Sequence, residues 1–400
     1  MKTKAFRFLW LGQAFANAGD VFYIVALIAA VFSWTKSPFL MTIVPVVITL
    51  SRFISSILAP LLIGRYHLKG LLYYSQAVKT ILMIILSVML LFSLEYVVIL
   101  FIFASLIAFL DGFALPARNA LVPSLVKREE LMGANGFLST SDQLIQFSGW
   151  AAGGLMVAFI GEDGTLFVTS VLFIISTAFM YSIPAKLHSN LGSNTKIPFF
   201  KQLGEGWLDV WKTSILKKIF LVYALESLAS VVWIAAILYI YVESQLLQGE
   251  EWWGFINSAF FVGLILASTF MLKWHRIFAN RQPLVAITII TAILTLVFGY
   301  NEIPFMALII SFFFGVCDQT KVILLQTHVQ MSIEPERLGK VYAAQGALTT
   351  LLFGIGSLAA GGLVTLIGVQ WVFALSSCLL FITVIPTMLI QNTLKRETEL

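Results

Sequence analysis

Charge is scarce in this sequence. Asp, Glu, Lys and Arg make up 11% of its 400 residues, and 59% are apolar. A soluble domain has about 25% charged residues, so a water-facing globule is excluded and a chain that crosses a membrane many times is indicated. Only two cysteines occur, Cys317 and Cys378, both in apolar stretches, which excludes a disulfide framework and a thiolate metal cluster. The four histidines, His67, His188, His275 and His328, fall in or beside polar loops, which argues against a buried imidazole metal site. No phosphate-binding glycine loop, dinucleotide fingerprint or nucleophile elbow is present. An ATP-driven pump and a hydrolase therefore have no support, the chain is not expected to be an enzyme, and no cofactor or metal is expected. The net charge of +5 does not indicate nucleic acid, because the basic residues are dispersed over loops as membrane topology requires.

What the chain has in abundance is apolar runs. A spanning helix needs roughly 20 mostly apolar residues, and that length predicts twelve: 8–34, 39–63, 70–92, 96–116, 134–160, 164–184, 218–243, 252–273, 282–300, 303–326, 339–366 and 370–390. With the N-terminus cytoplasmic, 21 Lys and Arg fall in inner loops and only Lys36 falls outside. This asymmetry predicts that both termini are cytoplasmic. The first segment is long and carries Asp20, so it reads as a retained helix and not as a signal peptide. The longest connection divides the chain into a six-helix bundle at 1–184, a linker at 185–217 and a second bundle at 218–400. In the linker Phe199, Phe200, Leu203, Trp207, Val210 and Trp211 recur at helical spacing with Lys201 and Lys212 between them, the pattern of a helix lying in the membrane interface.

The two bundles are related. Ala-Ala-Gly-Gly-Leu occurs at Ala151–Leu155 and again at Ala359–Leu363, a displacement of 208. Asp111 and Asp318, like Leu131 and Leu338, are 207 apart; Arg65-Tyr66-His67 precedes Lys273-Trp274-His275 by 208; Asp20 precedes Glu226 by 206. Such a repeat implies a pseudo-twofold axis along the membrane normal, the architecture of carriers that bind substrate near the midplane. Gly149 and Gly153 share a helix face with Asp142 and Gln146, and small residues there suit close helix packing.

The run Pro116-Ala-Arg-Asn-Ala-Leu-Val-Pro123, followed by Leu125-Val126 and Glu129-Glu130-Leu131-Met-Gly-Ala-Asn135, and the Gly19-Asp20 pair resemble the major facilitator superfamily. The resemblance covers essentially the whole chain and is strongest to the branch of bacterial drug exporters that includes macrolide-efflux proteins and siderophore exporters. Arg65 and Lys69 fit basic positions of the superfamily loop between helices two and three, while Gly64 stands where an Asp is usual. The resemblance implies an all-α fold of twelve transmembrane helices in two pseudo-symmetric bundles, alternating access, and export in exchange for protons.

Eight ionisable residues fall within the predicted spans: Asp20, Arg52, Lys79, Asp111, Asp142, Glu226, Asp318 and Lys321. Charges at such depth are costly and mark function. Gln13, Asn17 and Asp20 share one helical face, as do Tyr223, Glu226, Ser230 and Trp233. Asp20 and Glu226 are the leading proton carriers, with permanent pairing to Arg52 or Lys79 as the alternative for either acid. Asp142 is a further titrating candidate unless it binds Arg118. Gln13, Asn17, Arg52, Lys79, Gln146, Tyr223, Ser230 and Trp233 are candidates to line a substrate cavity. Arg52 and Lys79 would serve as counter-ions of Asp20 or Asp142, or meet an anionic group of the substrate. Asp111 and Asp318 lie toward inner helix ends, within reach of Arg65 and Lys69 or of Lys273 and Arg276. With Arg118 and Lys321 they form the set that the resemblance implies for an inner gate.

The expectation is a bacterial inner-membrane, proton-coupled exporter of an amphiphilic small molecule. It would work as a monomer, with protons, substrate and the lipid bilayer as its partners and no nucleic acid. The alternatives are a siderophore, metabolite or lysolipid exporter of the same fold and, in another class, a non-transporting membrane receptor or scaffold.

Overall fold

The computed structural model describes residues 3–63, 66–91, 96–184, 199–233, 235–249, 251–281 and 283–399. Its helices are α1 (Lys4–Thr35), α2 (Pro38–Ile63), α3 (Leu68–Leu91), α4 (Val97–Leu125), α5 (Leu131–Tyr181), α6 (Phe199–Lys212), α7 (Ser214–Ala229), α8 (Ala235–Ser244), α9 (Glu251–Arg281), α10 (Leu284–Tyr300), α11 (Pro304–Ser332), α12 (Pro335–Ile367), α13 (Val369–Ile382) and α14 (Val384–Glu399). Short 3-10 turns occupy Arg128–Glu130 and Ser230–Trp233.

Among the described residues nine helices are long and apolar enough to cross a membrane. One of them, α5, is two spans joined at Gly161, whose φ of 74° breaks the helix. α7 and α8 form one span bent by 44°, and α10 is a shorter apolar helix. Counted this way the spans number the twelve expected from the sequence. Gly161 has its repeat mate in Gly368, 207 residues on, which starts α13 at φ 85°. Only glycine adopts such a backbone without strain, so the repeat is visible as a shared turn between paired helices.

The chain forms two compact units. Unit 1 comprises Met1–Arg128, Leu144–Trp207 and Glu334–Ala347; unit 2 comprises Glu129–Gln143, Leu208–Ile333 and Leu348–Leu400. In unit 1, Tyr23, Leu27 and Val31 of α1 are buried with Ile48, Met83, Leu86, Ile107 and Phe173. In unit 2, Val232, Tyr241, Phe298, Ile310, Val372 and Phe373 form the corresponding core. With no water to drive burial between spans, packing depends on close approach at small residues and on internal hydrogen bonds. Thr288, Thr291 and Thr295 on α10 are fully buried and each donates to the carbonyl four residues earlier. Of the twin pentapeptides, Gly153 packs on Phe22 and Val25 of α1, whereas Gly154, Gly361 and Gly362 face open space. Gly356 provides the close contact in the second half, against Val231 and Leu228.

In unit 1, α6 lies against the start of α12. Gly206 sits so close to the Lys340 carbonyl that a Cβ would approach it to 2.2 Å, and Lys340 pairs with Glu205. Trp207 and Leu203 face a cavity of about 260 Å³ closed by Ser56, Pro60 and Ala343. Trp211 is exposed and lies under Lys217. The side chains of Phe199, Phe200 and Lys201 fall outside the described residues.

Candidate functional site

Each unit buries a lysine among carboxylates. In unit 1, α3 brings Lys79, its side chain 2% exposed, to within 2.5 Å of Asp20 on α1 and into contact with Asp111 on α4. Arg52 on α2 donates to the other oxygen of Asp111 at 2.9 Å. The Lys79 ammonium also lies 4.7 Å from the centre of the Phe173 ring. Two glycines permit this assembly. A Cβ on Gly19 would come within 2.4 Å of Phe173, and one on Gly112 within 2.4 Å of Ser55 and 2.9 Å of the Arg52 carbonyl. Each acid therefore follows or precedes a glycine that lets its helix close on the neighbour. One turn and two turns before Asp20, Asn17 accepts a 2.8 Å hydrogen bond from Gln13.

In unit 2, Lys321 on α11, its side chain 1% exposed, lies 2.7 Å from Glu226 on α7 and 4.0 Å from Asp318. Glu226 sits where α7 ends: the Ser230 N–H bonds the Glu226 carbonyl and the chain turns into the 3-10 segment. Broken spans of this kind are where carriers expose polar backbone to cargo. Tyr223 is buried, and Trp233 stacks on Phe314 at 4.1 Å and touches Phe298 and Phe373.

A family model described as transmembrane secretion effector matches residues 1–399. The chain belongs to that family. YfmI, an MFS-type transporter of Bacillus subtilis (strain 168), is 28% identical over 390 residues, 96% of this chain and 95% of that one. YjbB, an MFS-type transporter of the same organism, is 25% identical over 353 residues, 87% and 85% of the two chains. The fold is shared with a bacterial homologue of the iron transporter ferroportin, with a TM-score of 0.77, 13% identity and coverage of 97% and 99%. It is also shared with the human organic anion transporter MFSD10, with a TM-score of 0.78, 11% identity and coverage of 96% and 99%. At such identities the structural likeness speaks to the fold alone. The chain is thus an MFS-type transporter, a multi-pass membrane protein of the major facilitator fold, and its relatives are transporters rather than enzymes.

The transporter's lysines take partners that differ in part from those expected. Lys79 is the counter-ion of Asp20, one of the two anticipated arrangements. Asp111 pairs with Arg52 and Lys79, whereas the sequence suggested the loop bases. Asp318 contacts Lys321, the base three residues on along its own helix that the spacing offered beside Lys273 and Arg276. Lys69 is half-buried and Lys273 exposed; Arg65 and the Arg276 side chain lie outside the described residues. Arg118 is 5% exposed, and Asp142 and Gln146 are half-buried. His328, assigned to a loop margin from sequence, is buried in the last turns of α11.

A ladder of neutral side chains was not anticipated. Within unit 2, Asn135 donates to Thr327 at 3.0 Å and Gln330 at 2.7 Å; Gln143 donates to Gln319 at 3.3 Å, and Gln319 bonds Ser139. Asn135, Ser139 and Gln143 follow i, i+4, i+8 spacing, which was the available signal.

Proposed function

We propose that this transporter exports amphiphilic organic compounds, such as drugs and macrolides, in exchange for protons by alternating access. It would do so from a bacterial inner membrane with both termini cytoplasmic. The observation that carries the reading is the lysine-centred carboxylate cluster buried in the spans of each unit. Packing alone does not require ionisable groups at that depth, which cost free energy and persist where they serve transport. Two acids sharing one lysine offer a cluster that accepts a proton without stranding a lone buried charge. An inward proton releases about 2.3 kcal/mol per 100 mV of membrane potential. If proton and cargo bind competitively, or to different carrier states, that release expels the cargo. The Arg52 side chain, 42% exposed, supports a second reading, contact with an anionic group as in a siderophore or metabolite.

The test is transport by the purified protein in proteoliposomes with an imposed pH gradient and a panel of dyes, macrolides and siderophores. Gradient-driven accumulation of an amphiphilic dye or macrolide is expected. Counterflow that ignores pH removes the antiport reading and leaves the transporter assignment intact.

A further inference from the structure

The cavity beneath α6 breaks the repeat. A displacement of 208 relates Gly136 of α5 to Ala344 of α12, and Pro60 of α2 to Ser268 of α9. In unit 2 the two helices touch: a Cβ on Gly136 would come within 3.0 Å of the Ser268 carbonyl and 2.9 Å of the Leu272 nitrogen. In unit 1 their counterparts meet to either side of that level. A Cβ on Gly339 would approach Ile63 to 2.8 Å, and one on Gly346 would meet Ser56 at 3.4 Å. Between those contacts Ala344 and Pro60 border the cavity of about 260 Å³. A proline inside a helix crowds the carbonyl four residues back, and the glycine that allows close approach in unit 2 is replaced by alanine. The linker helix α6 lies over the gap, with Gly206 against the Lys340 carbonyl.

The lining suits an alkyl chain. α12 presents nothing beyond the methyl groups of Ala343, Ala344 and Ala347, and α6 lays Leu203 and Trp207 across them. Among the described lining no side chain is ionisable, and the one hydroxyl, on Ser56, is already donated to the Arg52 carbonyl at 2.9 Å. Walls with so few polar partners hold water poorly; an apolar cavity of about 150 Å³ stays dry and takes up benzene. A run of methylenes would give these walls the dispersion contacts that water cannot. The way out passes Ile57, which lines the cavity and is itself exposed. Ile54 and Leu50, three and seven residues earlier on the same face of α2, are exposed as well. α2 is one of the apolar spans, so this stripe carries the opening into acyl chains and not into water.

We propose that this cavity seats one acyl chain of a phospholipid from the leaflet in which α6 lies, the chain running from beneath α6 past Ile57, Ile54 and Leu50 toward the middle of the bilayer. The seated chain supplies between α2 and α12 the contact that Gly136 supplies in unit 2, and it holds α6 over both. It is a resident of the fold and not cargo, so the site stands whether or not the exporter reading does.

The experiment adds a phospholipid with a photoactivatable diazirine on its acyl chain to the full-length protein in non-ionic detergent, and maps the labelled residues by mass spectrometry. Label is expected at Ile57, at Trp207 and on the alanines of α12, and unlabelled phospholipid should compete it away. Ala344→Phe fills the cavity and should abolish labelling there while leaving that of Phe305, an exposed side chain elsewhere, unchanged. Phospholipid should raise the melting temperature of the wild type, as a ligand of the folded state does, and should raise that of the filled variant less. Ala347→Leu fills the same space from a second position and keeps the test valid if Ala344→Phe does not fold. Absence of label at these residues overturns the site, as does undiminished label in a folded, filled variant. Competition by a free fatty acid or an amphiphilic dye but not by phospholipid overturns the assignment of the occupant.

Discussion

Replacing Lys79 with methionine tests the charge balance of unit 1 most directly. Methionine keeps much of the side-chain volume, so the cavity left behind is small and the loss is electrostatic. Asp111 keeps Arg52 at 2.9 Å, whereas Asp20 loses Lys79, its one ion contact among the described residues. Leaving one member of a buried pair uncompensated costs about 3–5 kcal/mol, a factor of roughly 10² to 10⁴ in the folded-to-unfolded ratio. Loss of the ammonium over the buried Phe173 ring at 4.7 Å adds about 2 kcal/mol, the scale of a desolvated cation–ring pair. Lys79→Met should therefore lower the melting temperature and the denaturant midpoint in detergent well beyond experimental scatter. The double variant Asp20→Asn/Lys79→Met removes the stranded charge together with its partner, and should recover most of the loss through the coupling expected of contacting residues. Thermal unfolding followed by tryptophan fluorescence measures both. A single variant that melts with the wild type, or a double variant no better than the single, refutes the assignment of Lys79 as the charge that holds Asp20.

Two further outcomes follow from packing and hydrogen bonding. Gly112→Ala should separate α4 from α2, because its Cβ would meet Ser55 at 2.4 Å. Overpacking of this kind costs about 1–3 kcal/mol, whereas Gly154→Ala, with nothing within 4 Å, should melt with the wild type. Asn135→Ala removes donors to Thr327 and Gln330 and should cost about 1–3 kcal/mol; an unchanged melting curve would show that the ladder carries no stability.

The spans and their repeat were legible in the sequence because the bilayer imposes one length and one composition on every crossing. Gly161 and Gly368, at the same offset as Asp111 and Asp318, add a backbone signature to that repeat. Ion partners were harder to read. Helical spacing says which residues share a face, as Asn17 and Asp20 do, but not which neighbouring helix that face meets. Asp111 was expected near the loop bases because it lies toward a helix end. Gly112 instead lets α4 close on α2, and this places Arg52 beside the carboxylate. Lys79 reaches both acids because its stem is long and it enters from α3. The ladder at Asn135, Ser139 and Gln143 holds no ionisable group, so the cost of charge in the membrane does not mark it, and its i, i+4, i+8 spacing is its one trace in the sequence. The polar stripe of its segment offers Trp233 as a cavity candidate but does not foretell its ring partners, Phe298, Phe314 and Phe373, which it meets past the helix break at Ser230.

In both halves an acid leaves the ribosome before the lysine that holds it, but the interval differs. Asp20 precedes Lys79 by 59 residues, with one whole span, α2, made between the two spans that carry them. Glu226 precedes Lys321 by 95 residues, with two whole spans, α9 and α10, between. An unmatched charge at the centre of the bilayer costs about 2.5–3.5 kcal/mol. The carboxy-terminal half thus carries its first acid unmatched through a longer stretch of its own insertion, and it is the half that gains more from shelter by the insertion machinery.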